Sequence, residues 1–353
     1  MTKVVVAMSG GVDSSVAAAL LKQQGYEVIG MMLRLWSELG KENSNRCCTP
    51  DAMAQARRVA ARLDIPFYVI DAKEVFRETV VQYFLDGYSR GETPNPCLLC
   101  NRQIRWTFLL EHALALGAEF MATGHYARRK EQDGRVMLLK AVDSSKDQSY
   151  VLHVLCQEQL RRALFPVGDY PKTEIRRMAA EWGLPTASRR DSQDLCFLAG
   201  EDYRHFLQRH AAEMLKPGPI VRRDGQVIGQ HQGLPNYTIG QRKGLGIASP
   251  VPLYVLGKDA AENALIVGTA EELGQSELTA REVNWVSGEV PERPFRAEVK
   301  IRYTARSVWA EVTPLDNGSR VRVRFDAPVR DVTAGQAAVF YGGEEVIGGG
   351  IIE

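Results

Sequence analysis

Apolar positions change period along this chain, and the changes mark its parts. Val4-Val5-Val6-Ala7 is a continuous β-branched run, as in a strand buried on both faces. It leads into Ser9-Gly10-Gly11-Val12-Asp13-Ser14-Ser15, after which Val16, Ala17, Leu20 and Leu21 take helical spacing. The reading is a strand, a tight glycine loop and a helix, with Gly25 as the residue that ends the helix. Residues 27–33 read as a second strand and the aperiodic 37–46 as a loop. Thr49-Pro50-Asp51 reads as the N-cap and first turn of a helix reaching Leu63. Residues 67–70 form a third strand after the break at Pro66. A helical face (Ile104, Phe108, Leu109, Leu110, Ala113) ends near Gly117, and residues 120–123 form a fourth strand. This alternation predicts a doubly wound parallel sheet with ligands above its carboxyl edge.

Residues 136–140 read as a short strand and Ser144 to Ser149 as the approach to a helix. The Arg161-Arg162 and Arg176-Arg177 pairs read as solvated faces of amphipathic helices, the second ending at Gly183-Leu184-Pro185. After about Pro217 the pattern becomes β. Arg223-Asp224-Gly225-Gln226 is a turn, residues 253–256 and 265–267 flank another, and short strands recur from Leu278 as in a small barrel. The fold class expected for the 353 residues is α/β. A doubly wound parallel-sheet domain takes 1–205, a small mainly-β central domain 206–275, and a C-terminal β-barrel 276–353.

Composition narrows the class. With 45% hydrophobic and 25% charged residues this is an ordinary soluble globular composition. No run approaches the roughly eighteen apolar residues of a membrane span, so no membrane partner is expected. Nothing at the N-terminus reads as a cleavable leader, and six cysteines without one point to a reducing cytosol. A net charge of +1 predicts no nucleic-acid partner by itself, but residues 293–330 carry nine Lys/Arg against four acids. Arg320, Arg322 and Arg324 share one strand face, which reads equally as a phosphate-binding stripe or a solvated surface.

Candidate chemistry concentrates in three places. The glycine loop offers φ freedom at Gly10 and Gly11, the unbonded N–H groups of a helix start, hydroxyls at Ser9, Ser14 and Ser15, and Asp13 for a cation, a combination suited to a nucleotide phosphate. No Lys-Ser/Thr follows the glycines, which excludes a Walker A loop, and their spacing excludes the dinucleotide fingerprint. In Gly91-Glu92-Thr93-Pro94-Asn95-Pro96-Cys97-Leu98-Leu99-Cys100-Asn101, two prolines precede a helix. Cys97 and Cys100 thus lie at its N-terminus, where the dipole, Arg102 and Arg105 favour thiolates. Cys196 stands in apolar context behind acids and arginines. His125, in Gly124-His125-Tyr126, reads as a hydrogen-bonded loop residue in preference to a general base. Lys146 can reach a phosphate, and Cys47-Cys48 read as structural.

Ser9 to Ser15 resembles the pyrophosphate (PP) loop of the ATP-pyrophosphatases, which split ATP into AMP and pyrophosphate and adenylate a carbonyl oxygen. With Thr93-Pro94-Asn95-Pro96 running to Cys100-Asn101, Gly124-His125-Tyr126, Lys146-Asp147-Gln148-Ser149 and residues 192–197, the chain resembles the bacterial tRNA-specific 2-thiouridylases. The likeness continues through Tyr237 to Gly246, Lys300-Ile301-Arg302-Tyr303, Gly335-Gln336, Phe340-Tyr341 and Gly348-Gly349-Gly350. It implies a cytoplasmic enzyme that puts sulfur on carbon 2 of the wobble uridine (position 34) of tRNA. ATP with Mg²⁺ adenylates the uracil O2, and sulfide displaces AMP.

The resemblance further implies ATP contacts at Ala7, Met8, Ser9, Gly10, Gly11, Val12, Asp13, Ser14, Ser15, Leu33 and Gly124. It implies tRNA contacts at Asn95, Pro96, Cys97, Lys146, Asp147, Gln148, Arg302 and Tyr303. In family members with an aspartate in place of Cys97, the cysteine matching Cys196 carries a persulfide that the one matching Cys100 attacks, leaving a disulfide. The third thiol here makes Cys97, Cys100 and Cys196 the expected catalytic set and the ligands of a [4Fe–4S] cluster whose open iron presents sulfide. The persulfide route and a zinc site are the alternatives. The sulfur donor is expected to be a sulfurtransferase, a persulfide relay or free sulfide. A PP-loop ligase acting on a small molecule and a non-enzymatic, metal-bearing RNA-binding module are the other functions left open.

Overall fold

Val4, Val5 and Val6 are all fully buried, as a strand covered on both faces requires. In the computed structural model, which describes residues 1–38, 40–41, 49–189 and 195–353, they lie in the central strand of a parallel sheet. The strands of the first unit are β1 (Lys3–Ala7), β2 (Glu27–Arg34), β3 (Phe67–Asp71), β4 (Phe120–Thr123), a hairpin of β5 (Arg128–Gln132) and β6 (Arg135–Leu139), and β7 (Ala163–Leu164). The five-stranded sheet has the order β3-β2-β1-β4-β7 and is parallel throughout. Side chains alternate across it: Val5 joins Met31, Trp106 and Leu109 on one face, whereas Val4 and Val6 join Val16, Val59 and Ile175 on the other. Helices Val12–Gln23, Pro50–Arg62 and Lys172–Glu181 supply the second face. The caps form as the sequence predicts, with Thr49 Oγ1 accepting the Ala52 N–H at 3.0 Å and Gly25 at φ +86° closing the first helix. Cys47-Cys48 and Ser192 to Asp194 lie outside the described residues.

Two elements differ from the sequence reading. The helix after Pro94 begins as Pro96–Leu99, widens to a π-helix over Cys100–Leu109 and returns to α over Leu110–Ala115. Apolar spacing does not distinguish the two windings over so short a run. Residues 136–140 do give a strand, but β6 pairs with β5 and, through Leu139 opposite Glu345, with the C-terminal sheet.

The central unit is a four-stranded sheet of β8 (Gly218–Val221), β9 (Val227–His231), β10 (Tyr254–Asp259) and β11 (Ala264–Gly268), ordered β10-β11-β8-β9. Its first turn carries Gly225 at φ +87°, as the Arg223 to Gln226 signal requires. The last unit contains β12 (Gln275–Trp285), β13 (Phe295–Lys300), β14 (Val308–Leu315), β15 (Arg320–Val329), β16 (Ala337–Gly342) and β17 (Glu345–Ile352). Their order is β12-β15-β14-β13-β16-β17, and β17 returns to β12, closing a six-stranded barrel. Ala338 and Phe340 face its interior, while Val339 and Tyr341 face out and join the core of the first unit. One apolar cluster therefore crosses from the parallel sheet to the barrel wall. The arginine stripe is a solvated face: Arg320 pairs with Glu353, Arg324 with Glu311 at 2.8 Å, and Arg322 with Glu277 at 4.0 Å.

Candidate functional site

Sheet order reverses at β1, with β2 and β3 on one side and β4 and β7 on the other, and such a switch point opens a crevice at the carboxyl edge. Ala7 lies opposite Met31 and Thr123 in register, which brings Ala7 to Ser15, Leu33 and Gly124 to that edge. Gly10 sits at φ +72°, and a Cβ on it would lie 2.3 Å from the Ala52 carbonyl oxygen. A Cβ on Gly124 would lie 2.7 Å from the Ser14 nitrogen. Both glycines are therefore places where backbones meet. Gly11 caps the helix Val12–Gln23 without a side-chain bond, an arrangement that can leave first-turn N–H groups available to an anion. The Ser14 and Ser15 hydroxyls donate to the Gly11 carbonyl at 3.2 and 2.7 Å, and Ser14 Oγ accepts the Ser9 N–H at 3.2 Å. The loop is thus held in shape by its own serines.

Asp13 differs from expectation. Lys172 Nζ lies 2.7 and 2.8 Å from its two oxygens, and the Tyr126 hydroxyl donates to it at 2.7 Å. A carboxylate already neutralised by an ammonium does not fit a divalent cation, so as placed here Asp13 is no Mg²⁺ ligand. Sequence reasoning missed Lys172, whose one local signal is its place just after Pro171 at a helix start. His125 is buried between Arg105 Nη1 and Thr123 Oγ1, each 2.8 Å away. Arginine only donates, so Nε2 accepts and Nδ1 donates to the threonine. Burial, and then the Arg105 charge, hold the His125 pKa well below its usual value. The neutral ring is a hydrogen-bonded loop residue, as the sequence reading preferred.

The cysteines lie in two environments. Asn95 Oδ1 accepts the Cys97 N–H at 3.1 Å, capping Pro96–Leu99, and Cys97 is exposed. Cys100 is buried and Cys196 half-buried, both in an apolar cluster with Phe76, Phe84, Phe197 and Phe206. None of Cys97, Cys100 and Cys196 is in a disulfide. Among the described residues no three His, Cys, Asp or Glu side chains are grouped to hold a metal ion. As placed, the three thiols are not drawn together as a shared cluster or zinc ion would require.

The helix that carries Cys97 meets the one that carries Tyr150, where Asn101 Nδ2 donates to the Val151 carbonyl at 3.1 Å. Burial, and then the Asp147 charge, raise the pKa of Tyr303, whose ring meets that of Tyr150 edge to face at 6.1 Å. The Asp147 carboxylate is occupied within its turn, accepting from the Ala141 and Ser149 N–H groups at 3.0 and 3.2 Å and from the Ser149 hydroxyl at 2.8 Å. Gln148 Oε1 accepts the Tyr126 N–H at 3.0 Å, and its own N–H donates to the Tyr126 carbonyl at 2.7 Å. Asp147 and Gln148 therefore shape the turn on which Lys146 is carried. Arg302 is turned to another neighbour, donating to the Ile239 carbonyl at 3.1 Å and to Thr333 Oγ1. It borders a cavity of about 710 Å³, between the central unit and the barrel, lined also by Arg204, Tyr237, Lys243 and Asp331.

The barrel also holds the approach to Cys97. Glu92 is within 3.0 Å of Arg281 in β12, Thr93 N–H donates to the Ala334 carbonyl at 2.8 Å, and Gln336 Nε2 donates to the Thr93 carbonyl at 2.7 Å. Gly335 has φ +87°, and a Cβ there would lie 3.0 Å from the Thr93 carbonyl carbon. Gly335-Gln336, in the sequence only part of a family likeness, thus holds Thr93.

Comparisons with known proteins agree across the chain. Residues 2–200 match the family described as tRNA methyl transferase HUP domain, 204–269 the tRNA methyl transferase PRC-barrel domain, and 275–352 the aminomethyltransferase beta-barrel domain. The chain is 50% identical over 353 residues to the tRNA-specific 2-thiouridylase MnmA of Moorella thermoacetica, covering 99% of this chain and 98% of that protein. It is 48% identical over 369 residues to the protein of the same name from Roseiflexus castenholzii, covering 100% and 99%. Among solved structures, the U34-tRNA thiolase NcsA from Methanococcus maripaludis with its [4Fe-4S] cluster is similar at 18% identity. The TM-score is 0.38 with 59% of this chain and 67% of that one covered, a likeness that carries no argument about the cluster.

Proposed function

The chain belongs to the tRNA-specific 2-thiouridylase family, and from that premise we propose that it replaces O2 of the wobble uridine (position 34) of tRNA by sulfur, consuming ATP. It is an ATP-dependent tRNA-uridine 2-sulfurtransferase. What carries the finer reading is that Cys100 and Cys196, distant in the chain, share one apolar cluster. Ser9 to Ser15 receive the β- and γ-phosphates on the helix-start N–H groups. The uracil O2 attacks the α-phosphorus, pyrophosphate leaves, and O2 becomes part of a good leaving group. Cys196 carries a persulfide. The Cys100 thiolate attacks the inner sulfur, the persulfide S–S bond breaks as a Cys100–Cys196 disulfide forms, and hydrosulfide is released. Hydrosulfide attacks carbon 2, and AMP departs with O2. A persulfide-donating protein reloads Cys196 after a dithiol reductant restores both thiols.

Residues 1–205 are proposed as the adenylation and thiolation unit, 206–275 as a tRNA-binding unit, and 276–353 as the barrel that holds the approach to Cys97. Mg²⁺ would accompany the triphosphate, with no protein ligand assigned to it. The three thiols as placed do not gather into a ligand set for a [4Fe–4S] cluster, and the persulfide route uses none. A cytoplasmic setting suits the reading, and among the described residues no helix is long and apolar enough to cross a membrane.

The experiment is mass spectrometry of tRNA nucleosides after incubation with ATP and a persulfide donor. Formation of 2-thiouridine with matching AMP supports the reading; AMP release that needs no tRNA would favour a small-molecule ligase. Iron bound in anaerobically purified protein, in proportion to activity, would restore the cluster in place of the persulfide.

A further inference from the structure

Alternation along β13 turns Ala297 and Val299 into the barrel and Glu298 and Lys300 outward. Lys300 Nζ lies 6.0 Å from the ring centre of Tyr150 and 5.6 Å from that of Tyr303, and the two rings meet edge to face at 6.1 Å. Tyr150 is fully buried whereas Tyr303 is 40% exposed, so the cup opens on the Tyr303 side. Tyr150 also ties the cup to the helix that carries Cys97, where Asn101 Nδ2 donates to the neighbouring Val151 carbonyl at 3.1 Å.

The charged groups facing Lys300 are Asp147 and Lys140. Asp147 is occupied by the N–H and hydroxyl donors of its own turn, and Lys140 lies 3.3 Å from Glu298 and over the Tyr341 ring. Burial, offset in part by Asp147 and reinforced by Lys140, lowers the Lys300 pKa. The ring faces attract the ammonium without neutralising it. Asp147 acts on Lys300 through its charge and makes no hydrogen bond to it, which leaves this half-buried cation able to take a closer anion. RNA brings one at every linkage, and phosphate contacts are what fix the register of a bound strand.

We infer that Lys300, with the Tyr303 hydroxyl, seats a backbone phosphodiester of the RNA strand next to the nucleotide presented to Cys97. This rests on the tRNA reading above and adds to it the group that holds the strand. A target base drawn out of its stack loses its stacking neighbours, and a gripped flanking phosphate keeps carbon 2 in place.

The test uses the full-length protein and an anticodon stem-loop with one neutral methylphosphonate linkage on either side of the target uridine. Lys300→Gln is expected to weaken RNA binding about tenfold at low salt and to reduce the slope of log affinity against log salt by about one, with Lys300→Arg restoring most of both. The neutral linkage at the seated position should weaken the wild type by the same factor and leave Lys300→Gln unchanged. The KM for ATP should not move. An unaltered slope, or losses from linkage and variant that simply add, overturns the seat. So does a raised KM for ATP with an unaltered slope, which assigns the lysine to nucleotide phosphates. The linkage series in the wild type decides the matter even if Lys300→Gln does not fold. A wild type that makes no 2-thiouridine removes the function itself, whereas an active wild type indifferent to both linkages removes the seat alone.

Discussion

The ATP cradle and the thiol seam are assembled in opposite ways. Ser9 to Ser15 are consecutive, and their geometry follows from a strand end, two glycines and a helix start. The seam takes Cys97 and Cys100 from one helix, Cys196 from a 3₁₀ turn, Asp147 and Tyr150 from the first unit, and Lys300 and Tyr303 from the barrel. The cradle works with backbone N–H groups and with positions where a Cβ is absent. The seam works with side chains whose positions depend on two units staying docked. Damage to the cradle should therefore stop ATP cleavage and sulfur transfer together, while damage to the seam should separate them.

The largest separation is expected from Cys100→Ser and Cys196→Ser. Each should lower 2-thiouridine formation by roughly a thousandfold while tRNA-dependent AMP release continues, as loss of a nucleophile does. Equal loss of AMP release would mean that the two regions are not separable. Gly10→Ala should act on the other side of the comparison, because its Cβ meets the Ala52 carbonyl at a left-handed φ. Displacing the phosphates by even ~1 Å costs on the order of a hundredfold in turnover, so AMP and 2-thiouridine should fall together by about that factor.

Acid should loosen the seam selectively. His153 is buried against Gly349 of β17, and burial is the main cause that brings its pKa down to about 4. Between pH 4 and 6.5 the unfolded chain binds this proton and the folded chain does not. The stability is therefore whole above pH 6.5 and falls as pH drops toward 4, by roughly 3 kcal/mol. Urea unfolding across that range should show the decline, and His153→Gln should flatten it.

Gly335→Ala is expected to reduce sulfur transfer about tenfold, since a left-handed φ costs an alanine roughly 1–2 kcal/mol and the new methyl presses on Thr93. AMP release should be unchanged. Arg302→Ala should have the smallest effect on the salt dependence of tRNA binding, less than Lys300→Gln, because its guanidinium is directed to Ile239 and Thr333. A slope change of about one for Arg302→Ala would reverse that ranking.

How much of this is legible in the sequence follows from the same contrast. The Thr49-Pro50 cap, the Gly25 helix end and the strand–loop–helix around Gly10 can be read directly, since each is settled within a few residues. Cys97, Cys100 and Cys196 are recognisable as chemical thiols from their surroundings, yet their separate environments are not. Lys172 beside Asp13 was missed because a lysine after a proline has no local mark of its distant partner. The hairpin of β5 and β6 joins the barrel sheet, where alternation predicts a strand but not the edge it chooses. The arginine stripe on β15 reads two ways until Glu277, Glu311 and Glu353 are placed beside it.

The residue pattern alone was enough for the α/β character of the first unit, the β character of the rest, the strand–loop–helix around Gly10 and the thiols proposed for sulfur chemistry. Tertiary structure decided that Lys172 neutralises Asp13, that Cys100 and Cys196 share a core while Cys97 is exposed, and that a barrel loop grips the approach to Cys97. The physical reason is one of range. Turn and cap preferences act through bonds between near neighbours, whereas the meeting of distant side chains is chosen by the burial of whole faces, which no short stretch of residues contains.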